Sequence, residues 1–271
     1  MSALLIAANR LSAAAPAAVE APSDLGLERL RIASPSGASL AAWLLPGDAE
    51  APIVLLMHGV RANRAAMLGR MRFLHGAGYA VLAFDFQAHG ESTGSRITFG
   101  KLEALDAAAA IRWAKQRFPG RKIGVIGTSL CGAAMLLGPE PLPIDALILE
   151  AVYPDIESAT RNRLVAYLGR LGEWGVRPLL AAMKWTLGGD PEDLRPIDRI
   201  AAAGCPILIL GGTADTRTRI AETRALFARA VEPKALWEVD GAGHVDLASF
   251  AGDAYRDRVL DFLRRYLRQA T

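Results

Sequence analysis

The chain has 271 residues, 52% of them hydrophobic and 22% charged, with a formal net charge of +3. That balance supports a sizeable core and excludes global disorder; with no long Lys/Arg block and no basic–aromatic interleaving, it also argues against a nucleic-acid partner. Two cysteines, Cys131 and Cys205, are too few and too far apart for a disulfide framework or a cysteine metal site.

The N-terminal stretch MSALLIAANRLSAAAPAAVEAPS has no basic region ahead of its short apolar run, which Arg10 interrupts. It reads as a loosely held arm over residues 1–24, not as a signal peptide or a membrane span. The expectation is a cytoplasmic chain with no stable membrane insertion, and its oligomeric state is left open. Strand patterns follow at 27–34 and 39–47, around a Pro-Ser-Gly turn. Residues 51–59, APIVLLMHG, are a continuous apolar run ending in glycine, as in a strand buried on both faces. A helix over 64–78, a buried strand over 79–86 and a helix over 100–120 with a Pro-Gly stop come next. Four further strands are expected at 122–127, 144–151, 205–212 and 234–241. A last helix over 253–269 repeats apolar residues at Tyr255, Val259, Phe262 and Tyr266, one face packed on a sheet.

Alternating β and α units with buried strands predict a mostly parallel eight-stranded sheet flanked by helices, in one domain over 25–271. One crossover is oversized. Residues 153–200, between two strands, hold at least two helical patterns with Trp174, Trp185, Leu179 and Leu180, and are read as a helical lid. Its Arg161, Arg163, Arg170, Arg177 and Lys184 read as a solvated basic face.

Two stretches offer a serine for chemistry. GESTG at 90–94 fits Gly-x-Ser-x-Gly strictly, whereas GTSLCG at 127–132 has Cys131 where the second glycine is expected. Context decides, because an exposed nucleophile requires a tight turn from strand to helix. Ser92 follows its strand by several loop residues and no helix comes after it. Ser129 stands between the strand KIGVI and the helical LCGAAMLL, and is the expected nucleophile. Cys131 falls in the helix's first turn and is expected to be a small packed thiol.

A serine hydroxyl needs a base, and the base an orienting carboxylate. Of the four histidines only His244 lies beyond Ser129, in the Gly-rich loop DGAGHVDL. Asp215, in the turn after ILILGG, is the expected acid, with Glu150 as runner-up; Asp240 is too near His244 in sequence. Backbone N–H groups of Leu130 and Val60 are expected to hold the oxyanion, Gly59 being the alternative to Val60. His58 is expected to brace that loop.

These stretches, MHGV, FDFQAHGESTG, GTSLCG, GGTADTRT and GAGHVDL, resemble the α/β-hydrolase superfamily in order and cover residues 28–268. The resemblance makes Asp85, His89 and Ser92 bracing groups of a structural turn. HGVRANR, ITFGKLEALDAAAAIRWA and EAVYPDIESATRNRL are similar to bacterial serine esterases near the dienelactone-hydrolase and acyl-peptidase-like branches. The resemblance implies a cofactor-free, metal-free serine hydrolase acting on a small-molecule acyl ester, thioester or amide. Acyl transfer through the same intermediate, or a non-catalytic binding protein of this fold, are the alternatives.

Overall fold

Residues 53–57, Ile-Val-Leu-Leu-Met, have no polar side chain and are fully buried, so their backbone groups must be satisfied by neighbouring strands. The computed structural model describes residues 3–138 and 141–268. Its strands are β1 (Ala15–Pro16), β2 (Glu28–Ala33), β3 (Ser39–Leu45), β4 (Ile53–Met57) and β5 (Ala80–Phe84). They continue with β6 (His89–Gly90), β7 (Ile123–Thr128), β8 (Ala146–Glu150), β9 (Ile207–Gly212) and β10 (Lys234–Val239). Eight of these form one sheet, in the order β10-β9-β8-β7-β4-β5-β3-β2, while β1 pairs with β6 alone. Only β3 runs against its neighbours; the other pairings in the sheet are parallel.

The helices are α1 (Ala3–Ser12), α2 (Leu68–Gly76), α3 (Lys101–Arg117), α4 (Leu130–Leu137), α5 (Ile156–Leu168), α6 (Val176–Leu187), α7 (Ile220–Arg229) and α8 (Leu247–Leu267). Successive strand residues point to opposite faces, and the two cores follow that alternation. Ile53, Leu55, Val125 and Leu147 pack on the side of α3 and α4. Val54, Leu56, Ile126 and Ile148 pack on the other side, with Met71 and Leu74 of α2 and Tyr255 and Val259 of α8. A short helical segment from Leu247, where Asp246 caps the Ala248 N–H, ends at a break at Gly252 (φ 55°, ψ −121°), and the helix that follows begins at Asp253, where the apolar repeat predicts it. Gln269, its expected last residue, lies outside the described residues.

This topology sets where a site forms. From β4 the chain moves outward to β5, then returns to β7 on the opposite side of β4. Loops after adjacent strands that diverge in this way leave a crevice at the carboxyl edge. Met57 is in register with Gly127, so the loop after β4 and the turn after β7 begin side by side.

Residues 3–12, expected within a loosely held arm, form α1, which packs against α6. The Ile97 N–H donates to the Ser12 carbonyl at 2.8 Å, and Ala8 and Ser12 are buried. Alanines let this helix lie close, but its partner is some 170 residues away in sequence, about where no local pattern reaches. Between β8 and β9 the chain carries α5, a 3₁₀ segment over Gly169–Gly175, and α6. Trp174 and Trp185 there are 84% and 85% exposed, facing away from the core that Leu179 and Leu180 join. Among the described residues no helix is long and apolar enough to cross a membrane.

Candidate active site

Strand β7 ends in Gly127-Thr128, and α4 begins at Leu130, leaving Ser129 alone to make the turn. It does so at φ 53°, ψ −121°, a left-handed conformation that a non-glycine residue adopts at a cost of about 1–3 kcal/mol. The turn is fixed from its flank, where the Ser129 N–H donates to the Glu150 carbonyl at 2.8 Å. Although Ser129 stands where a helix N-cap would, its side chain makes no capping hydrogen bond. The hydroxyl is left for other partners.

Small residues are required beneath this turn, but not at position 131. A Cβ on Gly127 would lie 2.7 Å from Gly132 Cα, and one on Gly132 would lie 2.7 Å from the Gly127 carbonyl oxygen. The strand and helix backbones therefore touch through Gly127 and Gly132. Cys131 points into the core, fully buried, with its thiol pKa pushed up by burial. The strict spacing of the motif is displaced by one residue without loss of the close approach.

Asp215 and His244 meet at the same edge. His244 Nδ1 lies 2.8 Å from Asp215 Oδ2. The other carboxylate oxygen accepts the N–H groups of Arg217 at 2.7 Å and Thr218 at 2.9 Å. The carboxylate is thereby held by its own turn, and Thr218 Oγ1 in turn donates to the Ala151 carbonyl at 3.2 Å. Among the described residues no hydrogen bond joins Ser129 to His244. Ser129, Leu130 and Val60 all line a cavity of about 420 Å³. Leu130 is the first helical residue of α4, so its N–H has no acceptor within the helix. The loop carrying Val60 abuts the turn: a Cβ on Gly59 would stand 3.8 Å from Ser129 Cβ.

The competing residues are otherwise engaged. Glu150, the runner-up acid, is buried and pairs with Arg70 at 2.6 Å, while the Tyr255 hydroxyl also donates to it. Asp240 accepts from Thr213 Oγ1 at 3.1 Å. The Ser92 hydroxyl donates to the Asp85 carbonyl at 2.6 Å and accepts from the Ala41 N–H at 2.9 Å. Asp85 accepts the Arg64 and Glu91 N–H groups and pairs with the Arg64 guanidinium. His89 is buried with Nδ1 2.9 Å from the Gln87 carbonyl. His58 Nε2 accepts the Phe86 N–H at 3.2 Å, so Nδ1 carries the proton toward the Gly59 carbonyl at 2.8 Å. Burial, followed by the neighbouring His89, pushes the His58 pKa down to about 3.

Several cavity residues had no signal in the sequence. Leu11 reaches it from α1, Phe99 from the loop before α3, and Arg163 from α5, which was read as part of a solvated face. Arg217 also lines it, and its place two residues after Asp215 was the one available pointer. Among the described residues no cluster of three His, Cys, Asp or Glu side chains is placed to hold a metal ion.

Comparison with known proteins gives kinship to this geometry. A model described as "Alpha/beta hydrolase family" matches residues 53–259. The esterase Pf2001 of Pyrococcus furiosus superposes with a TM-score of 0.76 at 25% identity, over 93% of this chain and 97% of that one. An uncharacterized protein of Mycobacterium tuberculosis, Rv2307c, is 29% identical over 85% of this chain and 75% of its own. The lysophosphatidylserine lipase ABHD12 of Danio rerio is 26% identical over 68% of this chain and 49% of its own.

Proposed function

The chain belongs to the α/β-hydrolase family and is a hydrolase by that kinship; within it, we propose that the protein is a serine hydrolase cleaving a carboxylic ester. Ser129 is the nucleophile, His244 the general base and acid, and Asp215 the carboxylate that orients it. One observation carries the reading: a serine held at positive φ on a cavity, at the sheet edge where a carboxylate holds an imidazole.

The chemistry proceeds in two halves. Ser129 Oγ attacks the ester carbonyl carbon while His244 Nε2 takes its proton, and the carbonyl oxygen becomes an oxyanion. The N–H groups of Val60 and Leu130 stabilise that charge. As the oxyanion collapses, the carbon–oxygen bond to the alcohol breaks and His244 gives the alcohol its proton. Water then attacks the acyl-enzyme, passing a proton to His244, which returns it to Ser129 as the acid departs. Asp215 keeps the Nδ1–H tautomer throughout, leaving Nε2 free to accept.

Residues 153–200 serve as a lid, since Ile156, Leu164, Leu179 and Met183 form the apolar wall of the cavity. That wall suits an apolar acyl or aryl group. Kinship to an esterase and to a lipase supports an ester as the scissile bond. The test is labelling by a fluorophosphonate, which traps an activated serine. Wild type and Ser92→Ala should label and Ser129→Ala should not; labelling that persists in Ser129→Ala removes Ser129 from this role.

A further inference from the structure

Three arginines line the cavity beside Ser129, among them Arg163 from α5 and Arg217 from the turn after β9. A guanidinium taken out of water is ordinarily paired with a carboxylate. Most arginines with restricted surroundings here obey that rule: Arg64 pairs with Asp85 and Glu91, and Arg70 with Glu150 and Asp246. Arg163, half-buried, does not; Arg217, on the same cavity, is exposed, so water meets part of its charge. Among the described residues neither lies within 4.0 Å of an Asp or Glu oxygen. Arg163 has five N–H donors, and its single side-chain hydrogen bond runs to the Ala159 carbonyl, one turn back on its own helix, at 3.3 Å.

One carboxylate acts on Arg163 without pairing with it: the charge of Asp215 favours its protonated form. The oxygens of Asp215 are nevertheless occupied by His244 and by the Arg217 and Thr218 N–H groups. A third guanidinium on the cavity, Arg61, is spent on the Arg10 and Leu11 carbonyls at the end of α1. The rest of the wall is largely apolar. Arg163 is half-buried, and burial, with the like charge of Arg217 behind it, holds its pKa below the ordinary value. Two cations facing the same cavity repel unless an anion enters between them.

We propose that the cavity takes an acyl ester bearing an anionic group, a carboxylate or a phosphate, held by Arg163 and Arg217. This rests on Ser129 being the nucleophile. The apolar wall receives the hydrocarbon part and the two guanidiniums the charged part, which fixes how the ester lies across Ser129. A forked donor matches either oxyanion in two parallel hydrogen bonds.

The experiment compares matched esters. One arm sets mono-4-nitrophenyl adipate, with a terminal carboxylate, against its neutral methyl ester. The other sets a 1-acylglycerol 3-phosphate against the same 1-acylglycerol. Charged hydrogen bonds of this kind contribute on the order of 1.5–3 kcal/mol, so kcat/KM for the anionic member should exceed its neutral partner by about tenfold or more in at least one arm. The arm that responds identifies carboxylate or phosphate. Arg163→Gln and Arg217→Gln should each bring the ratio toward one, and Arg163→Lys should restore part of it. Arg170→Gln, on the same lid but off the cavity, should keep the wild-type ratio. Arg217 stands on an exposed turn, so its variant reads the effect even where Arg163→Gln disturbs α5. A wild type that labels at Ser129 and hydrolyses both members of both pairs equally overturns the anion site and leaves the hydrolase standing. A ratio that neither variant changes also overturns it. Failure of wild type to label or to hydrolyse any ester removes both.

Discussion

Gly132 and Cys131 show how one position in a motif can shift while its physics stays in place. The contact that a second glycine permits is made here by Gly132, whose absent Cβ would also lie 2.4 Å from Val152 Cγ2. Replacing a helical glycine by alanine gains about 1 kcal/mol of helix propensity, but overpacking against backbone costs about 1–3 kcal/mol or more. The clash wins, because the Gly127 carbonyl cannot move without moving the strand that presents Ser129. Gly132→Ala should therefore lose stability and fluorophosphonate labelling together. Cys131→Ala deletes one buried sulfur, costs about 1 kcal/mol, and should label like wild type. Chemical denaturation and labelling rate on the two variants test this; a Gly132→Ala protein with wild-type labelling would move the close approach elsewhere.

Three elements are tied together below the candidate site by Arg70 of α2. Its guanidinium, 1% exposed, pairs with Glu150 at the end of β8 and with Asp246 at the start of α8, both at 2.6 Å. Its Nε also donates to the Tyr255 hydroxyl at 2.9 Å. Asp246 is two residues past His244, so this network holds the loop that carries the imidazole as well as the strand end that flanks Ser129. Removing one partner of a buried pair costs about 3–5 kcal/mol, because the other is left charged and unpaired. Arg70→Met should therefore be severely destabilised, and Arg70→Met/Glu150→Leu should recover much of the loss. A double-mutant cycle in urea measures the coupling; a single variant within about 1 kcal/mol of wild type would show that water reaches Glu150. The strand that ends in Glu150 was legible from its apolar run, and so was the carboxylate at its tip. That the carboxylate faces Arg70, and not the imidazole, was not, since the two are 80 residues apart.

The whole molecule responds to acid through its buried imidazoles. His58 titrates at about 3 in the folded chain and at about 6.5 when unfolded. Between those values the unfolded chain binds a proton that the folded chain refuses, so stability is full above about pH 6.5 and falls as pH drops toward 3. His89, buried beside it, is shifted in the same direction, chiefly by burial. His58→Gln removes part of this linkage. The urea midpoint of wild type should fall more than the variant's between about pH 7.5 and about pH 4.5; equal falls would assign the acid loss to other groups.

Periodicity and apolar runs were enough for the eight-stranded sheet, because a strand buried on both faces needs a continuous apolar segment wherever it lies. The strand–turn–helix context likewise put Ser129, and not Ser92, on the tight turn between a strand and a helix, since such a turn requires small residues close in sequence. The packing of α1 on α6, the pairing of Glu150 with Arg70, and the placing of Arg163 and Arg217 on one cavity depended on tertiary structure. Each joins residues far apart in the chain, and whether a charged side chain meets solvent, a counterion or a cavity is set by what folds against it. No local pattern encodes that.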